Sequence, residues 1–180
     1  MKQAKTAARV AVVIGLAIIA LQIDSRPAEA AAVIKASAVC KKGSSFCISF
    51  TNASSLPSVV ASYTFNAPSA GTALVSFNGS MQCDNDGIND ASHGVIDLTT
   101  QIMTGGGTPN FQAPGGSRFT MRLNPSGIPD HSVAVNLASA RVVAVTAGAN
   151  TFNFKILRNR MDGDTSCTVW NGDFNVVFVP

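Results

Sequence analysis

Glutamate is absent from everything after residue 29, and the whole chain holds one Trp, one Tyr and two His. Without Glu, no acid/base carboxylate pair stands out, and a two-carboxylate hydrolase would have to be built from Asp alone. There is no GxSxG, so the nucleophile elbow of an α/β-hydrolase is missing. Ser92 beside His93 is no catalytic pair, because adjacent side chains of an extended segment point to opposite faces. The cysteines are not spaced as CxxC, and only His93 and His131 could complete a zinc site, which argues against zinc. No segment carries a helical hydrophobic period over ten or more residues, and no internal repeat is present.

What is present begins with a leader. Lys2, Lys5 and Arg9 precede an apolar run from Val10 to Leu21, too short to cross a bilayer comfortably and interrupted beyond it by Gln22, Asp24 and Arg26. Pro27 and the triplet Ala28, Glu29, Ala30 then fit a signal-peptidase site. Residues 1–30 are therefore expected to be a signal peptide cut after Ala30, and residues 31–180 a single domain, secreted or held in the periplasm or at the cell surface. No integral membrane segment is expected after cleavage. Removal of the leader leaves nine Lys or Arg against eight acidic residues, so no concentrated basic face remains and nucleic acid is not expected as a partner.

Cys40, Cys47, Cys83 and Cys167 all follow the leader, and an even count in an oxidising compartment reads as two disulfides. Of the three connectivities, the turn formers Gly43, Ser44 and Ser45 favour Cys40 with Cys47, which pairs Cys83 with Cys167.

Short runs rich in Val, Ile, Phe and Thr alternate with clusters of Gly, Asn, Asp, Ser and Pro. The expected fold is all-β, a two-sheet antiparallel sandwich of about ten strands. They lie near residues 33–39, 47–52, 58–65, 71–83, 94–103, 117–123, 133–137, 141–146, 151–158 and 173–179. Ala73, Val75 and Phe77 should face inward, with Leu74, Ser76 and Asn78 outward. Phe152, Phe154 and Ile156 alternate with Asn153, Lys155 and Leu157. The closing strand is apolar on both faces toward its end, as a central strand would be. Residues 105–116, with Gly105 to Gly107, Pro109, Pro114, Gly115 and Gly116, form a long loop expected to be exposed and either functional or mobile.

The segment Ala70 to Phe77, the later Val142 to Phe152 with its Ala147-Gly148-Ala149-Asn150 turn, and the closing Phe174 to Pro180 resemble the jelly rolls of the C1q and tumour-necrosis-factor-like family. The resemblance implies a jelly-roll topology and a trimeric binding module that is not an enzyme. The chain departs from many such domains in its scarcity of aromatic-rich strands.

Asp84, Asp86 and Asp90 follow Cys83 directly, and Asp162 and Asp164 precede Cys167. A Cys83–Cys167 bond, with Cα atoms about 5.5 Å apart, would bring the two acidic loops together. Hard oxygen donors on Asn, Asp and Gly loops are what calcium selects, which makes these five carboxylates a candidate calcium site. The bland alternative is a pair of solvated turns. The leading functional expectation is a secreted interaction or structural module, stabilised by calcium if that site is real, which contacts a protein or glycan surface and self-associates, as the resemblance implies, into a trimer. A secreted jelly-roll carbohydrate-active hydrolase recruiting Asp97, Asp130, Asp173 and Trp170 is the first alternative, and a fimbrial-type subunit the second.

Overall fold

Alternate residues along a strand point to opposite faces. In the computed structural model of the chain, which describes residues 32–35, 47–85, 94–123 and 131–180, that alternation turns a phenylalanine-rich face inward. Nine strands are present among these residues: β1 (Ala32–Lys35), β2 (Ile48–Thr51), β3 (Ser58–Ala67), β4 (Gly71–Asn85), β5 (Gly94–Met103), β6 (Gly116–Leu123), β7 (His131–Val145), β8 (Gly148–Met161) and β9 (Thr165–Val179). Among the described residues there is no helix, and so none long and apolar enough to cross a membrane. The expected signal peptide lies outside them.

The strands form two antiparallel sheets. In the first, the order is β1-β9-β4-β7, with β2 also on β9; in the second it is β3-β8-β5-β6. β1 pairs with Lys35↔Asn175 to Ala32↔Phe178, and β2 with Thr51↔Ser166 to Ile48↔Val169. They therefore occupy one edge of β9 end to end, and the first sheet is four strands wide. β9 is central, as its composition suggested.

Two expectations are corrected. Among the described residues the count is nine, not ten, because 133–137 and 141–146 belong to one continuous strand. Ala138, Ser139 and Ala140 carry too little side chain to signal a strand, but they pair with Asn78, Phe77 and Ser76 of β4. The last strand begins at Thr165, not 173. Between Met81↔Val169 and Ser80↔Asn171 the register shifts, leaving Trp170 as the extra residue of a bulge. Asn171 closes that bulge by accepting hydrogen bonds on Oδ1 from Ser80 N at 3.1 Å and Ser80 Oγ at 2.9 Å.

The two inner faces meet at aromatic rings. Phe77 of β4 stacks on Phe154 of β8 with centroids 3.9 Å apart and an interplanar angle of 15°. Its neighbour Phe174 of β9 meets it edge-on at 5.3 Å, and Phe65 packs on Phe178 across the sheets at 5.6 Å. Ala73, Val75 and Phe77 are fully buried as expected, and Leu74 is exposed. On β8, Phe152, Phe154 and Ile156 are likewise fully buried.

Room for the Phe77 ring is made by a pair of glycines, Gly79 and Gly172, which face each other across β4 and β9. A Cβ on Gly172 would collide with Phe77 Cζ, and one on Gly79 would lie 3.1 Å from Phe77 Cε1. Gly172→Ala is therefore expected to destabilise the fold by about 2 kcal/mol or more, the scale of overpacking a filled core. A melting curve superimposable on the wild type would contradict this packing.

Candidate functional site

The two outer faces of the sandwich differ in chemistry. On the first sheet the outward residues of β7, β4 and β9 line up in rows across the strands: Val142–Leu74–Val177, then Ala144–Thr72–Val179, then Ala140–Ser76–Asn175. Val142 is 65% exposed, Val179 51% and Leu74 44%. Farther along, the rows continue through Ala, Ser, Asn, Gln and Thr, and the charged side chains on this face of the three strands are Asp84 and Asp173. The fifteen β4–β7 partner pairs run without a register shift, so the surface has no break along that ladder. The second apolar face of β9, legible in Val177 and Val179, is left to solvent by the described residues.

The outer face of the second sheet is polar and partly covered. On β5 the alternate residues Asp97, Thr99 and Gln101 point outward and are nonetheless buried. Arg118 of β6 grips Asp97 with its guanidinium fork, Nε on Oδ1 at 2.9 Å and Nη2 on Oδ2. Asn159 Nδ2 donates to Asp97 Oδ1 at 3.1 Å and to Thr99 Oγ1 at 2.9 Å. The Arg118 fork, outweighing burial and helped by Asn159, holds the Asp97 carboxyl below the usual carboxylate range. The same guanidinium lies over the half-exposed ring of Phe111, 5.2 Å from its centroid.

The long loop between β5 and β6 is tied down over this face. Gln101 accepts from Asn110 N at 2.9 Å and donates to Pro114 O at 3.2 Å, and the buried Lys155 donates to Gly107 O at 3.2 Å. Gly115 O takes the Ser139 hydroxyl of β7, which links the loop to the first sheet.

The hydrolase candidates do not converge. Asp97 projects from the outer face of the second sheet and Asp173 from that of the first, so the core separates them. Trp170 sits at the β9 bulge, and Asp130 lies outside the described residues. A depression of about 250 Å³ lined by Thr104, Val143, Asn150 and Phe152 among others is smaller than most ligand pockets, which span roughly 300–1,000 Å³. His131 begins β7, and His93 lies outside the described residues.

Cys83 and Cys167 are direct partners across β4 and β9 and are bonded, with Cα atoms 4.0 Å apart. They are closer than the expected separation because they face each other on adjacent strands. The proposed Cys40–Cys47 bond involves Cys40, which lies outside the described residues. Pairing of Asn85 with Thr165 sets the start of the Asp84–Asp90 run beside the turn that carries Asp162 and Asp164. Gln82 Nε2 donates to Asp84 Oδ1 at 2.9 Å. Arg160 holds Asp162, with Nε 2.8 Å from Oδ1, and this pairing lowers the pKa of the Asp162 carboxyl. Asp164 is exposed. Asp86 and Asp90 lie outside the described residues. Among those described, no three His, Cys, Asp or Glu side chains form a group that could hold a metal ion.

The polar cluster around Asp97 was only half legible. Asp97, Thr99 and Gln101 at alternate positions signal a polar strand face, but Arg118 joins them only through the β5–β6 register. No family model matches the chain, and no curated protein matches it.

Because its folded pKa is depressed, ionised Asp97 contributes stability that is present above the unfolded pKa of about 3.9 and is lost as pH falls through the lower folded value. Asp97→Asn should cost about 1 kcal/mol near neutral pH, a low figure for a charged hydrogen bond because 46% of the Arg118 side chain meets solvent. The deficit should close as pH drops below about 4. A pH-independent gap in chemical-denaturation curves would remove the charged pair as its cause.

Proposed function

We propose that the chain is a secreted, non-enzymatic interaction module that presents the outer face of its β7-β4-β9 sheet to another protein surface, a further copy of itself being the simplest partner. The observation that carries this reading is the contiguous exposure of Val142, Leu74 and Val179 on a face with few charges. Large exposed apolar side chains on a sheet face whose other residues are mostly small and uncharged are what a contact surface needs and what a solvent-facing sheet avoids.

The strand order supports the jelly-roll reading and with it the resemblance to C1q and tumour-necrosis-factor-like domains. If β1 and β2 are counted as one interrupted edge strand, the sheets run 1-8-3-6 and 2-7-4-5, the order that two nested Greek keys produce. The buried disulfide fits an oxidising compartment.

Native mass by light scattering tests the reading. The wild type is expected to assemble, and the double variant Leu74→Lys/Val142→Lys to lose the contact made through this face and run at a lower native mass with an unchanged β-sheet circular dichroism spectrum. A wild type that stays monomeric at its solubility limit removes self-association through this face. Calcium is a separate component of the proposal and depends on Asp86 and Asp90 joining Asp84 and Asp164. Millimolar calcium should then raise the melting temperature, by a stabilisation of about 2.7 kcal/mol at a hundredfold excess over Kd. No shift would leave two solvated turns and the contact face intact.

A further inference from the structure

Every open sheet ends in strands whose outer N–H and C=O groups lack a partner, and proteins blunt such edges with short strands, bulges, charges or proline. Three of the four edges here carry such a device. The β1/β2 edge is broken into two four-residue strands. The β3 edge has a register shift between Val59 and Ala61. The eight-residue β6 edge displays exposed Arg118 and Arg122. The fourth, β7, is fifteen residues long and pairs with β4 without a shift. Between Ser132 and Val145 it has no proline and one charged residue, Arg141, whose Nη1 turns toward the second sheet to donate to Ile102 O at 3.2 Å.

The orientation of the edge groups follows from the ladder. The carbonyl of Val169 accepts from Cys47 N at 2.7 Å, so that residue's backbone faces β2 and not β4. Hydrogen-bonding direction alternates along antiparallel strands. Met81, opposite Val169, therefore faces β7, and its partner Val135 faces back to β4. The even-numbered residues, Ala134, Asn136 and Ala138 among them, turn their N–H and C=O groups to the outer edge, which no strand among the described residues pairs with. Their side chains are exposed, small and uncharged.

We propose that this edge is a strand-pairing site that takes β7 of a second copy, antiparallel, joining two sheets into one continuous sheet across a two-fold axis. An extended backbone is the ligand that a row of alternating donors and acceptors selects. A second copy supplies the matching row by symmetry, and uncharged Ala, Asn and Ser at the outward positions set no like charges against each other. The inference rests on reading the chain as an interaction module and adds a contact distinct from the flat face.

The test is native mass and amide hydrogen exchange on the mature protein and on Ala138→Pro. Proline there removes an outward N–H without breaking a bond to β4. It is expected to halve the mass of the native assembly while Leu74→Lys/Val142→Lys leaves the edge contact in place. In the wild type, the amides of Ala134, Asn136 and Ala138 should exchange as slowly as those of Val133, Val135 and Leu137. Fast exchange at the three even positions overturns the proposal even if the proline variant fails to fold. An Ala138→Pro assembly of unchanged mass overturns it as well and leaves the flat-face reading standing. Conversely, an assembly that survives Leu74→Lys/Val142→Lys at full size but is halved by Ala138→Pro supports the edge and removes the face.

Discussion

The stack of Phe77 on Phe154 is the contact around which the sandwich is arranged. It joins the middle strand of one sheet to the middle of the other, and its ring-on-ring distance of 3.9 Å fixes how closely the sheets approach at that point. Aromatic pairs add about 0.5–1.5 kcal/mol beyond the area they bury, so geometry and not strength is their larger contribution here. The ring occupies space that Gly79 and Gly172 leave open, and Phe174 then closes its edge. The bulge at Trp170 lies two residues from Gly172 and brings that glycine, not a side chain, under the ring.

The disulfide fixes the same pair of strands at their other end. Cys83 and Cys167 are separated by 84 residues in sequence, and closing a loop of that size removes unfolded-state entropy worth roughly 4 to 5 kcal/mol in the chain-entropy account. The glycine pair and the disulfide constrain β4 and β9 over the stretch between them, Gly79 to Cys83 on one strand and Cys167 to Gly172 on the other. The outer rows of Leu74, Val142 and Val179 lie beyond that stretch and are carried by the paired strands themselves, not by loops.

Much of the fold was legible because its signal is local. Alternation at Ala73, Val75 and Phe77, and again at Phe152, Phe154 and Ile156, records in the sequence which face each residue presents. What was illegible depends on partners. Ala138-Ser139-Ala140 has no strand character of its own and is extended only because β4 pairs with it. Asn171-Gly172-Asp173 has the composition of a turn, and only the ring of Phe77 explains why a strand runs through it. For the candidate surfaces, Leu74 could be placed on an outward face and the closing strand read as apolar on both, but exposure is set by what the rest of the chain leaves uncovered. The Arg118–Asp97 pair needs a register between two strands that no residue spacing encodes.

The central place of β9 bears on how the protein is made. Among the described residues β1 and β2 have no neighbour in their sheet except β9, the last of the nine strands in sequence. A chain that emerges with its N-terminus first therefore displays these two segments throughout synthesis, and they find their place only after residues 165–179 have appeared. Such long-range pairing is slow to form and leaves apolar segments open to wrong partners meanwhile. The order of the strands thus places the pairing of the first segments at the end of synthesis.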